Sequence, residues 1–422
     1  MKLICDKEKC TMCGACRAVC PKGCITDIRE GGKWFMNIDE EACIDCGLCR
    51  RTCPNATQPD FQGRDCLRVG WACDEAIRRN SASGGIASSL YRYALESGWF
   101  ICGVELDADF KARYAVTNDQ AKLAAFINSK YTFSDASPCY NDVYQVLRTG
   151  GKVLLIGLPC QAAGIRNFLK AKHCPTEGLL VVDLVCHGTP LPELLPEHIK
   201  SIEINNNFQA KKLFFRDPNY RTDKFAFTIY GESIFEADKF ASEKPQYIKF
   251  VQDDDPYQIG YHGAFIYRDS CYRCMYTRHE RIGDLTLFDT GGLGKVERFQ
   301  GSKINTSFIL VNSEKGELLL KQAQNTGLIH CEDRPVAEAY DFNGQLNRPS
   351  VGETSMERAA LFKCMQDGMS FDEAGKIAFS SQIKKNHIRK ALQVDRIKSF
   401  IKLFVPREMI DYMSIQKYKN KG

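Results

Sequence analysis

The chain has 422 residues, 44% hydrophobic and 26% charged, enough for two or three domains and a sizeable core. No apolar run approaches the roughly 18 residues of a membrane span, and Met1 to Cys5 lacks the apolar stretch of a secretory signal, so a cytoplasmic protein is expected. Net charge is +5, yet residues 381–422 alone hold eleven Lys/Arg against three Asp/Glu. The main body is thus slightly acidic, and no nucleic-acid partner is expected.

The 21 cysteines stand out. They fall in tight runs within a long chain, which argues against a disulfide framework and for metal ligation in a reducing compartment. The first run is Cys10-x2-Cys13-x2-Cys16-x3-Cys20-Pro21, and the second is Cys43-x2-Cys46-x2-Cys49-x3-Cys53-Pro54. Three close cysteines wrap one iron–sulfide cube, and the fourth of each run crosses to the other cube. Two [4Fe–4S] clusters follow, one on Cys10, Cys13, Cys16 and Cys53, the other on Cys43, Cys46, Cys49 and Cys20. Gly14 and Gly47 supply permissive dihedrals inside the loops. Cys5 and Cys24 lie outside the repeat and read as structural or incidental. The spacing is that of bacterial two-cluster ferredoxins, a module that carries electrons.

From about residue 80, strands and helices alternate. Ser83, Gly84 and Gly85 open a helix over Ile86–Ser97, and Trp99–Leu106 reads as a strand. A glycine turn at a helix N-terminus suits a cofactor phosphate, although a plain helix cap has the same sequence. The apolar runs Lys152–Ile156 and Leu179–Val185 suit buried parallel strands. Cys160 and Cys186 then fall just past their carboxyl ends, on the rim where open α/β sheets bind ligands. Cys271 and Cys274 form a CxxC pair. These four thiols can hold a third [4Fe–4S] cluster or a zinc, or be free thiols beside an unrelated pair. The run Asp253, Asp254, Asp255 before Pro256 reads as a solvated turn.

Several phrases resemble the beta-subunit family of coenzyme F-420-reducing hydrogenases and dehydrogenases. They are Ser83 to Gly85, Ser129 to Tyr131, Gly157 to Gln161, Cys186 to Gly188, and Asp255 to Tyr257. Arg268 to Cys274, Arg281 to Thr286 and Ser307 to Gly316 complete the set, in order, over residues 66–320. The resemblance implies FAD in the α/β body, contacted by Ser83, Gly84, Gly85 and Lys130. It also implies a third cluster on Cys160, Cys186, Cys271 and Cys274. The chain departs from the family at Leu287 to Gly291, where Phe288 replaces a glycine and Thr290 a tryptophan, which bears on the substrate pocket. His187 is a candidate proton donor near the flavin, and reads equally as a helix-capping or carbonyl-bound histidine.

Beyond residue 350 the pattern is helical. Ile388, Leu392, Ile397, Phe400, Ile401 and Phe404 form an apolar stripe among Lys390, Arg396, Lys398 and Lys402, and Pro406 ends the helix. Such a basic amphipathic helix can fold onto its own domain, or meet a membrane surface or a partner. The expected fold is an α+β ferredoxin-like module (1–60), an α/β flavin-binding domain (61–345) and a mostly helical basic C-terminal region (346–422). The expected function is an iron–sulfur flavoprotein oxidoreductase exchanging electrons with an organic substrate or deazaflavin-like coenzyme. Its redox partner would be a ferredoxin or another redox subunit. The alternative is a non-catalytic subunit that relays electrons to a partner enzyme.

Overall fold

Each cysteine run folds as a loop entering a short helix, α1 (Ala15–Val19) and α2 (Leu48–Thr52). Gly14 (φ +86°) and Gly47 (φ +69°) turn the chain into them in the left-handed conformation. Between the runs, β1 (Ile25–Glu30) and β2 (Lys33–Ile38) pair antiparallel, with Ile25 opposite Ile38. Ile4, Met12, Ile25, Met36 and Ile38 fill the interior of this α+β head beside the cysteines. The structure is a computed structural model and describes residues 3–30, 33–220, 222–233, 244–394, 397 and 407–419.

The body is built on β3 (Cys66–Ala72), β4 (Phe100–Leu106), β5 (Ala112–Thr117), β6 (Ser134–Asp135), β7 (Val153–Gly157) and β8 (Leu179–Leu184). Helices α3 (Glu75–Asn80), α4 (Ile86–Glu96), α5 (Leu123–Phe126), α6 (Cys139–Arg148) and α7 (Pro159–Ala171) connect them. Strands β4, β7 and β8 run parallel. In β7 every residue is buried, as its unbroken apolar sequence requires. Alternate side chains enter opposite faces: Val153, Leu155 and Val181 meet α6 and α7, while Leu154, Ile156, Leu180 and Val182 meet α4. The head docks on the first face, since Cys13, Ala15 and Val19 belong to that core.

After β8 the chain leaves the sheet. Helix α8 (Leu194–Asn206), an antiparallel sheet of β9 (Phe208–Phe214), β10 (Phe227–Ser233) and β11 (Tyr247–Lys249), and α9 (Pro256–His262) form a second core. The chain then returns as β12 (Leu285–Asp289), parallel to β8, followed by β13 (Ser307–Val311), α10 (Glu314–Asn325), β14 (Ile329–Arg334) and α11 (Ala337–Tyr340). The large sheet has the order β14-β3-β13-β12-β8-β7-β4-β5-β6. This is a mixed α/β body on a ferredoxin-like head.

Helices α12 (Met356–Gln366), α13 (Phe371–Ala378) and α14 (Ser380–Ala391) follow. Phe371 and Phe379 are fully buried in the second core. The long helix expected through Ile388 and Leu392 stops early: Leu392 caps α14, and Gln393 takes a φ of +49°. Ile388, Leu392 and Ile397 are more than half exposed. Phe400, Ile401, Phe404, Arg396, Lys398, Lys402 and Pro406 lie outside the described residues. Helix α15 (Arg407–Lys419) ends the described chain, with Tyr418 donating to Asp341. Among the described residues no helix is long and apolar enough to cross a membrane.

The acidic run at 253–255 is not a solvated turn. Asp255 caps α9, is buried, and accepts from Tyr247 while bonded to His198. Lys249 pairs with Asp254, and Lys390 with Asp253. Pairing with cations, rather than hydration, absorbs these charges.

Candidate metal centres and strand-end rim

The near head site gathers Cys10, Cys13, Cys16 and Cys53 around one void, lined also by Cys5 and Met12. Burial pushes the Cys13 thiol up to about 12 and Cys16 well above its ordinary range. Cys10 falls to about 6, first because the Cys5 thiol donates to it, and Cys53 is lowered for the same first reason. Cys5, which looked incidental, is therefore in direct contact with two members of the set.

At the second head site, Cys20, Cys43 and Cys46 act electrostatically on Cys49, whose thiol burial raises. Cys24 lies with its Sγ 3.4 Å from that of Cys20. It is raised to about 11, chiefly by that hydrogen bond. Each head site thus has a fifth thiol at its margin, a feature with no signal in the repeat because Cys5 and Cys24 sit outside it.

The rim site assembles from three segments. Cys160 lies in the first turn of α7, Cys186 follows β8, Cys271 lies within a single 3-10 turn over Asp269–Arg273, and Cys274 caps that turn. Burial pushes the Cys160 thiol well above its ordinary range, and Cys274, Cys186 and Cys271 all add to the effect. Cys186 rises to about 12 and Cys274 to about 11, again led by burial. Thr189 donates its N–H to Cys271 Sγ at 3.4 Å. Thiols this hard to ionise become thiolates when a metal centre compensates the charge.

Among the described residues no three or more Cys, His, Asp or Glu side chains form a group able to hold a single metal ion. A cube of four irons takes one thiolate at each corner, so its ligands stand apart around a void rather than converge on a point. The donor sets fit that geometry: all thiol, four to a site, with the near head set around one void.

Near and rim sites share helix α7. Gly164 is four residues after Cys160, hence on the same helical face about one 5.4 Å turn along. A Cβ at Gly164 would stand 3.0 Å from Cys13 Sγ. The Tyr140 hydroxyl donates to the Cys13 carbonyl at 2.7 Å and fixes this approach. Arg268 and Tyr276 lie in the same junction; Arg268 opens one of the matched phrases but had no role assigned there, and Tyr276 lies outside them.

The flavin candidates lie along the strand ends but are not gathered tightly. Ser83 donates to the Thr306 carbonyl at 2.7 Å, and the Gly84 N–H donates to Ser307 Oγ at 2.9 Å. A Cβ at Gly84 would meet the Gly70 carbonyl and the Ser307 nitrogen at 2.7 Å. The close approach that requires glycine here is to the protein's own β3 and β13, so at Gly84 the turn is not an open phosphate cradle. Lys130 donates to the carbonyls of Ala125 and Ile127. Desolvation lowers its pKa to about 7.

His187 sits exposed on a crowded part of the rim, where desolvation lowers its pKa further and leaves the ring neutral near pH 7. A charged imidazolium donor is therefore not stored there. Close by stand groups the sequence did not single out: His262, lowered to about 4 by desolvation and then by His187 and Arg216, and Arg216, one of whose terminal nitrogens donates to both carboxylate oxygens of Asp289. Tyr131 stacks on Tyr261 at 4.7 Å. The second sheet delivers Arg216, so no local pattern marks it.

An α/β body joined to a head with two thiol quartets defines an iron–sulfur electron-transfer protein. A 4Fe-4S dicluster domain model matches residues 9–57. The coenzyme F420 hydrogenase/dehydrogenase beta subunit matches through its N-terminal model at residues 68–139 and its C-terminal model at 150–336. The chain belongs to that beta-subunit family. It is 25% identical over 287 residues to coenzyme F420 hydrogenase subunit beta of Methanothermobacter thermautotrophicus, covering 66% of this chain and 87% of that protein. It is 24% identical over 208 residues to an F(420)H(2) dehydrogenase subunit of Methanosarcina mazei, covering 46% of this chain and 59% of the relative. A chain of the F420-reducing [NiFe] hydrogenase complex from Methanosarcina barkeri aligns over 80% of this chain and 94% of its own, at 18% identity and a TM-score of 0.43.

Proposed function

We propose that the chain is an iron–sulfur flavoprotein oxidoreductase. Cys10, Cys13, Cys16 and Cys53 hold one [4Fe–4S] cluster, Cys20, Cys43, Cys46 and Cys49 a second, and Cys160, Cys186, Cys271 and Cys274 a third. FAD lies along the strand-end rim, with Lys130 and the Ser83–Gly85 turn as its candidate contacts, although the Ser83 hydroxyl and the Gly84 N–H are already bonded within the fold. When bound, the clusters exchange single electrons, and the flavin exchanges a pair or a hydride with an organic substrate or deazaflavin-like coenzyme. The chain's own residues hold these groups apart from water and near one another. Neutral His187 and His262 are the proton-handling candidates of the rim.

One observation carries the reading: Cys13 of the near head set packs on Gly164, one helical turn from Cys160 of the rim set. Two thiol quartets that share a helix face are built for electron exchange between head and body. The relatives carry the names of hydrogenase and dehydrogenase subunits, which supports a redox partner subunit as the other electron carrier; a ferredoxin is the alternative carrier of this reading. We read residues 1–60 as the port, 61–345 as the flavin body and 346–422 as a helical region, of which Leu361, Phe371 and Phe379 complete the second core.

The test is anaerobic isolation with iron, sulfide and flavin measured together. About twelve irons per chain, as three cubes demand, with one FAD, are expected. Cys271→Ala should remove about four irons and leave the head signals intact. About eight irons in the wild type would remove the third cluster. No flavin after reconstitution would leave the second reading, a relay subunit, which the internally spent Gly84 N–H favours.

A further inference from the structure

Among the described residues, Arg268 is a buried cation without an anion. It is 6% exposed. Its Nε donates to Thr189 Oγ1 at 3.0 Å and one terminal nitrogen to the Thr11 carbonyl at 2.8 Å. Its guanidinium lies 4.7 Å from the ring centre of Phe133 and 5.9 Å from that of Trp34. Every one of these partners is neutral. The adjacent carboxylate, Asp269, is taken by Arg358 at 2.7 Å. A guanidinium removed from water in this way costs far more than neutral hydrogen bonds return, unless a negative charge lies nearby.

The charges it faces are thiols from two sites. Thr11 follows Cys10 of the near head set, while Thr189 donates to Cys271 of the rim set. The positive charge of Arg268 acts on Cys10, on Cys160 and Cys186, and on Cys274. A second orphan shares this junction. Tyr276 is 3% exposed and its hydroxyl has no hydrogen-bond partner among the described residues. The thiols acting on it are, in order, Cys160, Cys13, Cys274 and Cys53, two from each site. A buried hydroxyl is rarely left unpaired, and the polar groups whose charge reaches this one are thiols.

We propose that Arg268 is the shared counter-charge of the near head centre and the rim centre, with Tyr276 donating to their ligand sulfurs across the same junction. The inference rests on the cluster assignments above and adds what sets the two potentials together. Reducing a cluster adds one negative charge. A fixed cation favours the reduced form, so Arg268 raises both midpoint potentials. Both residues act through the ligands and are positioning groups, not catalytic ones.

The experiment is an EPR-monitored redox titration of the anaerobically reconstituted full chain, with iron content measured for each variant. Arg268→Gln should move two midpoint potentials to more negative values and shift the centre on Cys20, Cys43, Cys46 and Cys49 least, with iron content unchanged. Arg268→Lys, which keeps the charge, should hold the potentials near the wild type. Should Arg268→Gln lose iron, Tyr276→Phe, which removes one buried hydroxyl and little else, should lower the same two potentials by a smaller amount. Full iron with unshifted potentials in Arg268→Gln overturns the proposal, as does an equal shift of all three centres. If the wild type holds only about eight irons, the three-centre reading fails by itself. A downward shift of one head centre would then still support the Arg268 role, and no shift would refute it.

Discussion

Replacing Gly164 by alanine tests the junction between head and body. In an ordinary helix interior this change stabilises by roughly 0.5–1 kcal/mol, because glycine loses more backbone freedom on folding. At Gly164 the added carbon would stand 2.5 Å from the Tyr140 hydroxyl, 3.0 Å from Cys13 Sγ and 3.1 Å from Cys13 Cβ. Tyr140 cannot yield freely, since it is buried and bonded to the Cys13 carbonyl. Overpacking of this kind costs about 1–3 kcal/mol, and losing the tyrosine hydrogen bond about 1 kcal/mol more. Set against the helix gain, a net loss on the order of 1–3 kcal/mol is expected.

The assay is urea denaturation of the reconstituted chain, together with the rate of electron exchange between head and body signals. Tyr140→Phe removes the nearest obstacle, so the double variant should recover part of the loss, a non-additivity diagnostic of direct contact. A Gly164→Ala protein more stable than the wild type, with additive behaviour toward Tyr140→Phe, would refute the docking geometry.

Three further outcomes follow. His198 bridges Asp255 (3.0 Å) and Asp372 (2.8 Å), and these carboxylates overcome its burial to raise its pKa to about 10. Its stabilising charge is complete below the unfolded value near 6.5 and is lost as pH rises through 10. His198→Gln should therefore cost about 3 kcal/mol near pH 6, with a gap from wild type that narrows toward pH 10, read from urea midpoints. Cys53→Ser should alter the same EPR signal as Cys13→Ser, and Cys20→Ser the same one as Cys46→Ser; the opposite pairing would overturn the crossed assignment. Gly84→Val should destabilise the whole fold through its clash with Gly70 and Ser307, whereas Lys130→Ala should lower flavin content at constant iron, measured on the same samples.

Much of the architecture was legible. The doubled cysteine spacing declares its module locally, since each loop closes over a few residues, and the structure builds a ferredoxin-like head from it. The strand over Val153–Gly157 was readable because a segment covered on both faces must be apolar at every position. The second core was not, because it joins residues 194–267 to Phe371 and Phe379 across a hundred residues that carry no shared pattern. The tail stripe was readable as a period but not as one helix, since the break at Gln393 answers to a backbone turn rather than to hydrophobicity.

The sequence by itself determined the number and grouping of the head cysteines, the apolar central strands and the family, because each is written in residues close together in the chain. Tertiary structure alone decided that Cys13 rests on Gly164, that Cys5 and Cys24 stand beside the thiol sets, and that Arg268 faces two of those sets with no carboxylate partner among the described residues. The Cys5 and Cys24 contacts depend on how the head folds onto itself, and the other two on which surfaces meet when the head docks on the body. Charge and steric contact act through space, and a linear pattern records only the residues that will take part.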